Sequence, residues 1–538
     1  MPLVADINTI GHLDGRREET VGRGASCSSC FVLIVLAVTA VTPLLSAMRA
    51  WLEPMQVSGV KSEVHIRYSR SKSRMLARTE SGRATAMLFV LVALESAWID
   101  FGRLHRSQNA DSLLLVLVSL QKWTAFYWQQ DRFGMLVPLA ASVVRHPLAN
   151  LLVQGWITTS AALLSPFLAA RYLLDDWRDW FPAGAAVNVL LLVLATPEVQ
   201  FDWFVNQPYG VAFALGCGGL IALDQRSFAA GTAAAICIVA AHWVNEGVFV
   251  LLVPLALCGG KRRSTPLALT MLAIGVLLGA LMSSAADAPR TTSALTPLTQ
   301  WPAGWLELAS KAVTVFSSKP ALLAALVLSL AGATMAAATG KGRAALQACL
   351  ACLVVATVYG LIVGTSEWVR LNLYYPRYIF PSLMFLGLAM GVVMLAPFRK
   401  YPRVTPCVAG GLLVTITVVT SGAPSLQGIE RDFDERFGLM TADVIGTSAR
   451  VIGGDYWAVW PAVFHANLTL ARQGSSAAVY GLSYRSAGTD VIWRSLPAPI
   501  FLAAPHDAGV AELADRANVS IVLVHRRPAV DLYRVTPR

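Results

Sequence analysis

The run "FAAGTAAAICIVAAHWVNEGVFVLLVPLALC", residues 228–258, carries its ionisable residues at a single tip, His242 and Glu246. One helix of that length would overshoot the ~20 residues that span a bilayer. A hairpin would cross twice and return the chain to its starting side. Every loop downstream changes sides with the choice.

Outward from this run, apolar stretches recur at about 30 to 49, 84 to 100, 149 to 170, 184 to 197, 209 to 223, 266 to 284, 320 to 338, 344 to 364, 379 to 397 and 404 to 421. With 55% hydrophobic residues, 14% charged residues and a mean hydropathy of +0.57, they predict an α-helical polytopic membrane protein. Counting the hairpin as two crossings gives about 11 to 12 transmembrane helices, several of them short for the task. Under that reading Lys and Arg are roughly threefold denser in one set of loops, which holds Lys61, Arg67, Arg171, Arg178, Arg226, Lys261, Lys341 and Lys400, than in the other. The positive-inside rule therefore selects the hairpin, with its tip outside.

The same topology leaves residues 101–148 wholly outside. "FGMLVPLAASVV", residues 133–144, is too short to cross and reads as a helix lying in the outer interface. Residues 1–83 form an N-terminal segment with one candidate crossing and a basic cytoplasmic loop, and 84–421 the multi-helix body. After residue 421 the pattern changes to β-rich runs, "SARVIGG", "AAVYGLSY", "PIFLAAP" and "NVSIVLVH", separated by helical stretches such as "DAGVAELADRAN". Residues 422–538 thus read as a small α/β domain outside the membrane, with "DLYRVTP" as its closing strand.

Composition excludes several functions. The net charge of +11 is gathered in short clusters between apolar runs, "GGKRRSTP" and "FRKYPR", so nucleic acid is not a partner. The eight cysteines lie in or beside apolar runs, and neither Cys27/Cys30 nor Cys349/Cys352 has a second pair to complete a zinc site. No phosphate-binding loop, dinucleotide fingerprint or nucleophile elbow is present.

Polar residues gather on the outer side. The first outer loop carries Asp100, Asp111 and Arg132; the second, "TPEVQFDWFVNQPYG", carries Asp202, Trp203 and Gln207; the last, "LYYPRYIFP", carries Arg377 and Tyr378. Plainer readings stand beside each functional one. Asp111 would cap the helix that "SLLLVLVSL" opens, Asp202 would mark the water boundary, and Arg377 would snorkel to headgroups. His242 and Glu246, four apart, would form a structural pair, and "DYWAVWPAVFH" would supply core and interface aromatics. Arg377 runs against the positive-inside trend, which argues for a specific task.

Two stretches carry a family likeness. Residues 93–141, "ALESAWIDFGRLHRSQNADSLLLVLVSLQKWTAFYWQQDRFGMLVPLAA", give a crossing that ends outside in an acidic loop with interfacial helices. "YPRYIFPSLMF" is similar to the R-Y-x-x-P run that opens a late helix in the GT-C superfamily of polyprenyl-phosphate-sugar-dependent membrane glycosyltransferases. Over residues 84–421 the order of parts resembles that superfamily.

The resemblance implies a glycosyltransferase of the bacterial cytoplasmic (inner) membrane, its C-terminal domain outside. Such an enzyme moves a sugar from a polyprenyl-phosphate-linked donor to a glycan, lipid or protein acceptor. Asp100 or Asp111 would be the catalytic carboxylate; the family pattern places acidic residues right after the crossing, and here they are spread apart, so both stay open. Asp202, Arg377, Tyr378, Arg132, Trp203, Gln207, His242 and Glu246 would bind substrate. The carboxylates suit either a divalent cation, Mg²⁺ or Mn²⁺, or proton chemistry without one. The alternative class is a transporter or flippase, or a polymerase or ligase of lipid-linked glycans.

The orientation is testable with single cysteines and a membrane-impermeant maleimide on intact cells. Positions within 422–538 should label from outside, and positions beside Lys261 should stay protected; the opposite pattern would invert the topology.

Overall fold

The computed structural model describes residues 67–538 except 103, 129, 131–132, 207, 226, 260–264, 286–293, 317–319, most of 321–342, 396–397, 399–400, 403, 484, 486 and 507–508. The candidate crossings at 30 to 49 and 320 to 338 fall outside or almost wholly outside the described residues. Most of the chain is helical. In order come α1 (Arg67–Gly102), α2 (Ala110–Leu120), α3 (Leu136–Ala141), α4 (Pro147–Leu173), α5 (Trp177–Leu194), α6 (Pro197–Phe201), α7 (Tyr209–Leu223), α8 (Phe228–Val244), α9 (Phe249–Gly259) and α10 (Thr265–Ser284). There follow α11 (Trp301–Thr314), α12 (Arg343–Gly364), α13 (Glu367–Leu371), α14 (Phe380–Leu395), α15 (Val404–Ser421) and α16 (Leu426–Gly446).

Five segments among the described residues are long and apolar enough to cross a membrane: Ala84–Gly102, Pro147–Leu173, Thr265–Ser284, Ala345–Gly364 and Val404–Gly446. Residues 228–258 are not one straight helix. The chain breaks at Asn245, and the helices on either side are bent by 119°. Asn245 serves both sides of the break, giving its N–H to Ala241 and accepting from the Gly247 N–H at 2.9 Å. Counted as one bent span, the pair makes a sixth; α2, α7 and α14 are apolar but shorter. Close approach of helices relies on small residues, as where Gly210 of α7 meets Ala162 of α4: a Cβ there would lie 2.6 Å from the Ala162 Cα.

The loops sort to two ends. At one, the Gly134 N–H bonds the Trp243 carbonyl at 2.8 Å, the Trp243 indole bonds the Ala125 carbonyl at 2.9 Å, and the Thr296 N–H bonds the Thr365 carbonyl at 2.8 Å. At the other, Arg171, Tyr172, Asp224 and Gly259 line a cavity of about 300 Å³, while Asp176, Arg178, Phe398 and Thr405 line one of about 180 Å³. The expected count of about 11 to 12 crossings is not reached among the described residues, where five spans, or six with the bent pair, meet the length.

Beyond α16 lies a five-stranded sheet. β1 (Val451–Gly453) leads into α17 (Tyr456–Arg472), then come β2 (Tyr480–Leu482), α18 (Ala487–Arg494), β3 (Ile500–Ala504), α19 (Val510–Arg516), β4 (Val519–Arg526) and β5 (Asp531–Pro537). The order is β2-β1-β3-β5-β4, with β1 parallel to β2 and β3 and with β5 antiparallel to both its neighbours. Each expected strand run holds a strand. The last one, "DLYRVTP", does not close an edge; it is inserted between β3 and β4.

Helix α2 joins the two parts. Asn109 caps it, accepting from the Asp111 and Ser112 N–H groups, while the Ser112 hydroxyl accepts the Asn109 N–H. Leu113 and Val116 pack with Leu148 and Leu151 of α4, Phe433 of α16 and Phe464 of α17. Leu114, Leu117 and Val118 pack with Val459, Trp460 and Val463 of α17. Polar clamps fix the ends: Gln121 Nε2 donates to the Val479 carbonyl at 2.8 Å, and Arg436 donates to the Gln108 carbonyl at 2.9 Å. Of the interfacial helices expected within 101–148, α2 is instead buried in protein. Only α3 keeps an interfacial character, with Leu139 and, just beyond it, Val143 exposed.

Leu117 is 1% exposed in this joint. Leu117→Ala should cost about 2–5 kcal/mol and release the sheet unit to proteolysis before the helical body melts. Wild-type protease resistance would show that α2 does not hold the two parts together.

Candidate functional site

The segment between α5 and α7 builds a carboxylate pocket by departing from regular helix. Thr196 caps α6, and the chain then widens into a π-turn over Asp202–Asn206, a device common at functional sites. The wider turn brings Asn206 Nδ2 to 2.8 Å from Asp202 Oδ1. Trp203 on the same turn is buried against Phe380, ring centroids 4.6 Å apart.

Arg377 comes from the last outer loop. Leu373 and Tyr374 both have positive φ, 53° and 51°, strain that tightens the turn ahead of Pro376. Arg377 Nη2 donates to the Tyr378 hydroxyl at 3.1 Å, which also accepts from Trp368 Nε1 at 3.0 Å. The guanidinium lies over the rings of Tyr378 at 5.0 Å and Tyr375 at 5.5 Å. Its Nε is shut off from solvent and has no hydrogen-bond partner among the described residues.

Burial raises the Asp202 carboxyl above the usual range. The Asn206 amide and the Arg377 charge pull it back, the Asp111 charge pushes it up, and the Tyr375 hydroxyl donates to it. Tyr375 in turn is pushed up to about 12, by burial first and by Asp202 second. For Arg377, burial works against the cation, but Tyr378, Tyr209 and Asp202 outweigh it and the net shift is upward. The Arg377 charge is felt by Asp202, and its guanidinium is held by the tyrosine rings.

Asp111 occupies the junction with the sheet unit. Asn109 takes the capping role, so the Asp111 side chain is free to point away from its own helix. Tyr456 Oη donates to Asp111 Oδ1 at 2.5 Å, and Arg485 Nη1 stands 3.7 Å from the same oxygen. The Tyr127 hydroxyl bonds the Asp111 carbonyl at 3.1 Å and lies 3.2 Å from that of Tyr456. Burial raises both phenols well above their ordinary range, so they stay protonated donors. The Arg485 guanidinium sits over Tyr127 at 4.6 Å and Tyr456 at 5.2 Å.

The two clusters adjoin. Helix α2 packs on the π-turn, and Asp111 is near enough for its charge to act on Asp202. Comparison with family models, with curated proteins and with solved structures finds no match to this chain. The chemistry of the junction therefore rests on its own residues: two carboxylates, two guanidiniums and a rim of tyrosines contributed by three outer loops and the sheet unit.

The other expected site residues divide. Trp203 and Tyr378 join Arg377. Asp100 ends α1 buried at 2% exposure, facing α4, where a Cβ on Gly155 would fall 2.4 Å from its Oδ1. His242 is buried between Phe249 and Gly275 of α10, and because α8 stops at Val244, the exposed Glu246 does not share its helix face. Arg132 and Gln207 lie outside the described residues. Among the described residues no three His, Cys, Asp or Glu side chains group as a cation site, and Asp202 already faces an arginine. The donor set does not fit a resident Mg²⁺ or Mn²⁺.

Sequence reasoning missed Tyr127, Tyr456, Arg485 and Asn206. Asn206 had a signal, standing one helical turn after Asp202. Tyr456 was read with the core aromatics of "DYWAVWPAVFH"; Trp460 and Phe464 do fill the core, but Tyr456 faces Asp111. Nothing in the sequence around Arg485 marks it, since it meets Asp111 only through the fold.

Proposed function

We propose that the protein is an integral, polytopic membrane glycosyltransferase that moves a sugar from a polyprenyl-phosphate donor to an acceptor at the outer face of the membrane. The observation that carries this reading is the placing of Asp111, Asp202 and Arg377, from three separate loops, at one end of the helical body, with Asp111 and Arg377 both near enough for their charges to act on Asp202. A membrane-embedded phosphate ester needs a cation at its leaving group and a base at its acceptor, and no nucleotide is required.

Arg377 holds the donor phosphate. Its fork is fixed by Tyr375 and Tyr378 and keeps Nε available. The acceptor oxygen attacks the anomeric carbon as the bond from that carbon to the phosphate oxygen breaks. Asp111 Oδ2 takes the acceptor proton, while Tyr456 and Arg485 hold Oδ1 in place. The bonding pair leaves on the phosphate, whose charge Arg377 balances. Asp202 orients the guanidinium, and the exposed aromatic faces nearby suit a sugar ring.

One observation favours the transporter reading. Glu95, 5% exposed, lies near the middle of the Ala84–Gly102 span, where buried carboxylates commonly serve ion pathways. Glu95→Gln separates the readings, because it should leave sugar transfer intact and would abolish proton-coupled transport.

Because Asn109 is the cap, Asp111→Asn leaves helix α2 unchanged. Turnover of a polyprenyl-phosphate sugar should fall at least about a hundredfold, and near-normal transfer would remove Asp111 from the base role. Arg377→Lys keeps the charge and loses the fork. The expected result is a raised donor KM in a normally folded protein, and an unchanged KM would leave the phosphate without its receptor.

A further inference from the structure

The sheet unit presents a particular edge to the junction. β2 and β3 flank β1 on opposite sides, so the strand order reverses there. In open α/β sheets of this order ligands bind outside the carboxyl ends of the parallel strands, at the crevice between β1 and β3; the loop after β1 borders it, and the loop after β2 lies on the same carboxyl side, one strand away. Tyr456 follows the carboxyl end of β1 through Gly453 and Gly454, and Arg485 follows that of β2. The Gly454 N–H bonds the Leu482 carbonyl at 3.2 Å, tying the two loops together. Both side chains converge on Asp111, so the ligand edge of the sheet unit opens on the carboxylate of the helical body.

Arg485 is unusual within this edge. Its φ of 72° lies in the left-handed region, a conformation that costs free energy for a side chain of this size and that clusters at ligand sites. Two tyrosine rings cradle the guanidinium plane. Its approach to Asp111 at 3.7 Å is longer than the roughly 2.7–2.9 Å of a fork seated on a carboxylate. Both side chains are largely buried, 15% exposed for Arg485 and 16% for Asp111. When Asp111 takes up a proton its charge is lost, and a substrate anion beside Arg485 restores the balance.

We infer that Arg485 is a substrate-binding residue that receives a phosphate group, and that the carboxyl edge of β1 and β2 forms the second wall of the transfer site. The inference rests on the transferase reading and adds a second phosphate locus to it, separate from Arg377. The phosphate belongs either to the acceptor or to a further phosphate of the donor.

The test is calorimetric binding to the full chain in neutral-lipid nanodiscs, with three probes: inorganic phosphate, glucose 6-phosphate and polyprenyl phosphate. Arg485→Gln should weaken inorganic phosphate at least tenfold, and Arg485→Lys should weaken it by a smaller factor. A matching loss for glucose 6-phosphate alone assigns the phosphate to the acceptor, and a loss for polyprenyl phosphate alone assigns it to the donor. Unchanged binding of all three probes in Arg485→Gln, at a wild-type melting temperature, overturns the proposal. Should that variant fail to fold, unchanged binding in Arg485→Lys overturns it equally. Sugar consumption by the wild-type chain is measured separately: loss of phosphate binding in Arg485→Gln, with no consumption of a polyprenyl-phosphate sugar by the wild type, would reject the transferase and keep the anion site.

Discussion

A helix of eleven residues that is apolar on every side, as α2 is, suits neither water nor a bilayer. At 1.5 Å per residue it reaches roughly half of a ~30 Å hydrocarbon core. Its one satisfactory environment is protein around it, and α4, α16 and α17 together supply it. That requirement docks the sheet unit on the helical body. Because Asp111 stands in the first turn of α2, the same packing also decides where the carboxylate goes.

The charges at the junction follow from this docking. Two carboxylates and two guanidiniums sit where water is largely excluded, an arrangement that desolvation opposes and that well-packed apolar residues would often better in stability. Tyrosines soften the cost on each side, through hydroxyl donors to the carboxylates and ring faces for the cations. What such an arrangement provides is orientation. Tyr456 and Arg485 both address Asp111 through Oδ1, and Arg377 Nε has no hydrogen-bond partner among the described residues. Groups fixed in this way are what a transfer reaction needs.

Much of the fold was legible because burial and strand pairing are written locally. The apolar runs, the break near Asn245 and the strand segments after residue 421 each come from periodicity and punctuation within a short window. Insertion of "DLYRVTP" between β3 and β4 was not legible, since pairing order depends on the whole sheet. The site divides in the same way. Asp111, Asp202 and Arg377 stood out as charges at the ends of apolar runs, whereas Tyr456 and Arg485 gain their meaning from contacts 345 residues away or from a parallel-strand edge. The cap was misjudged for a smaller reason: Asn109, two residues earlier, competes for the same N–H groups and reaches them.

The two partners at the junction are held differently, and this bears on how a substrate enters. Asp111 rides on a helix whose sides are buried and whose ends are clamped by Gln121 and Arg436. Arg485 has a backbone in the left-handed region, and its head is met by two ring faces, by the Tyr456 hydroxyl, which accepts from Nη1 at 3.3 Å, and by a long ion pair to Asp111. Displacement of α2 would break two apolar clusters at once, so the base keeps its place and a substrate comes to it from the side of Arg485.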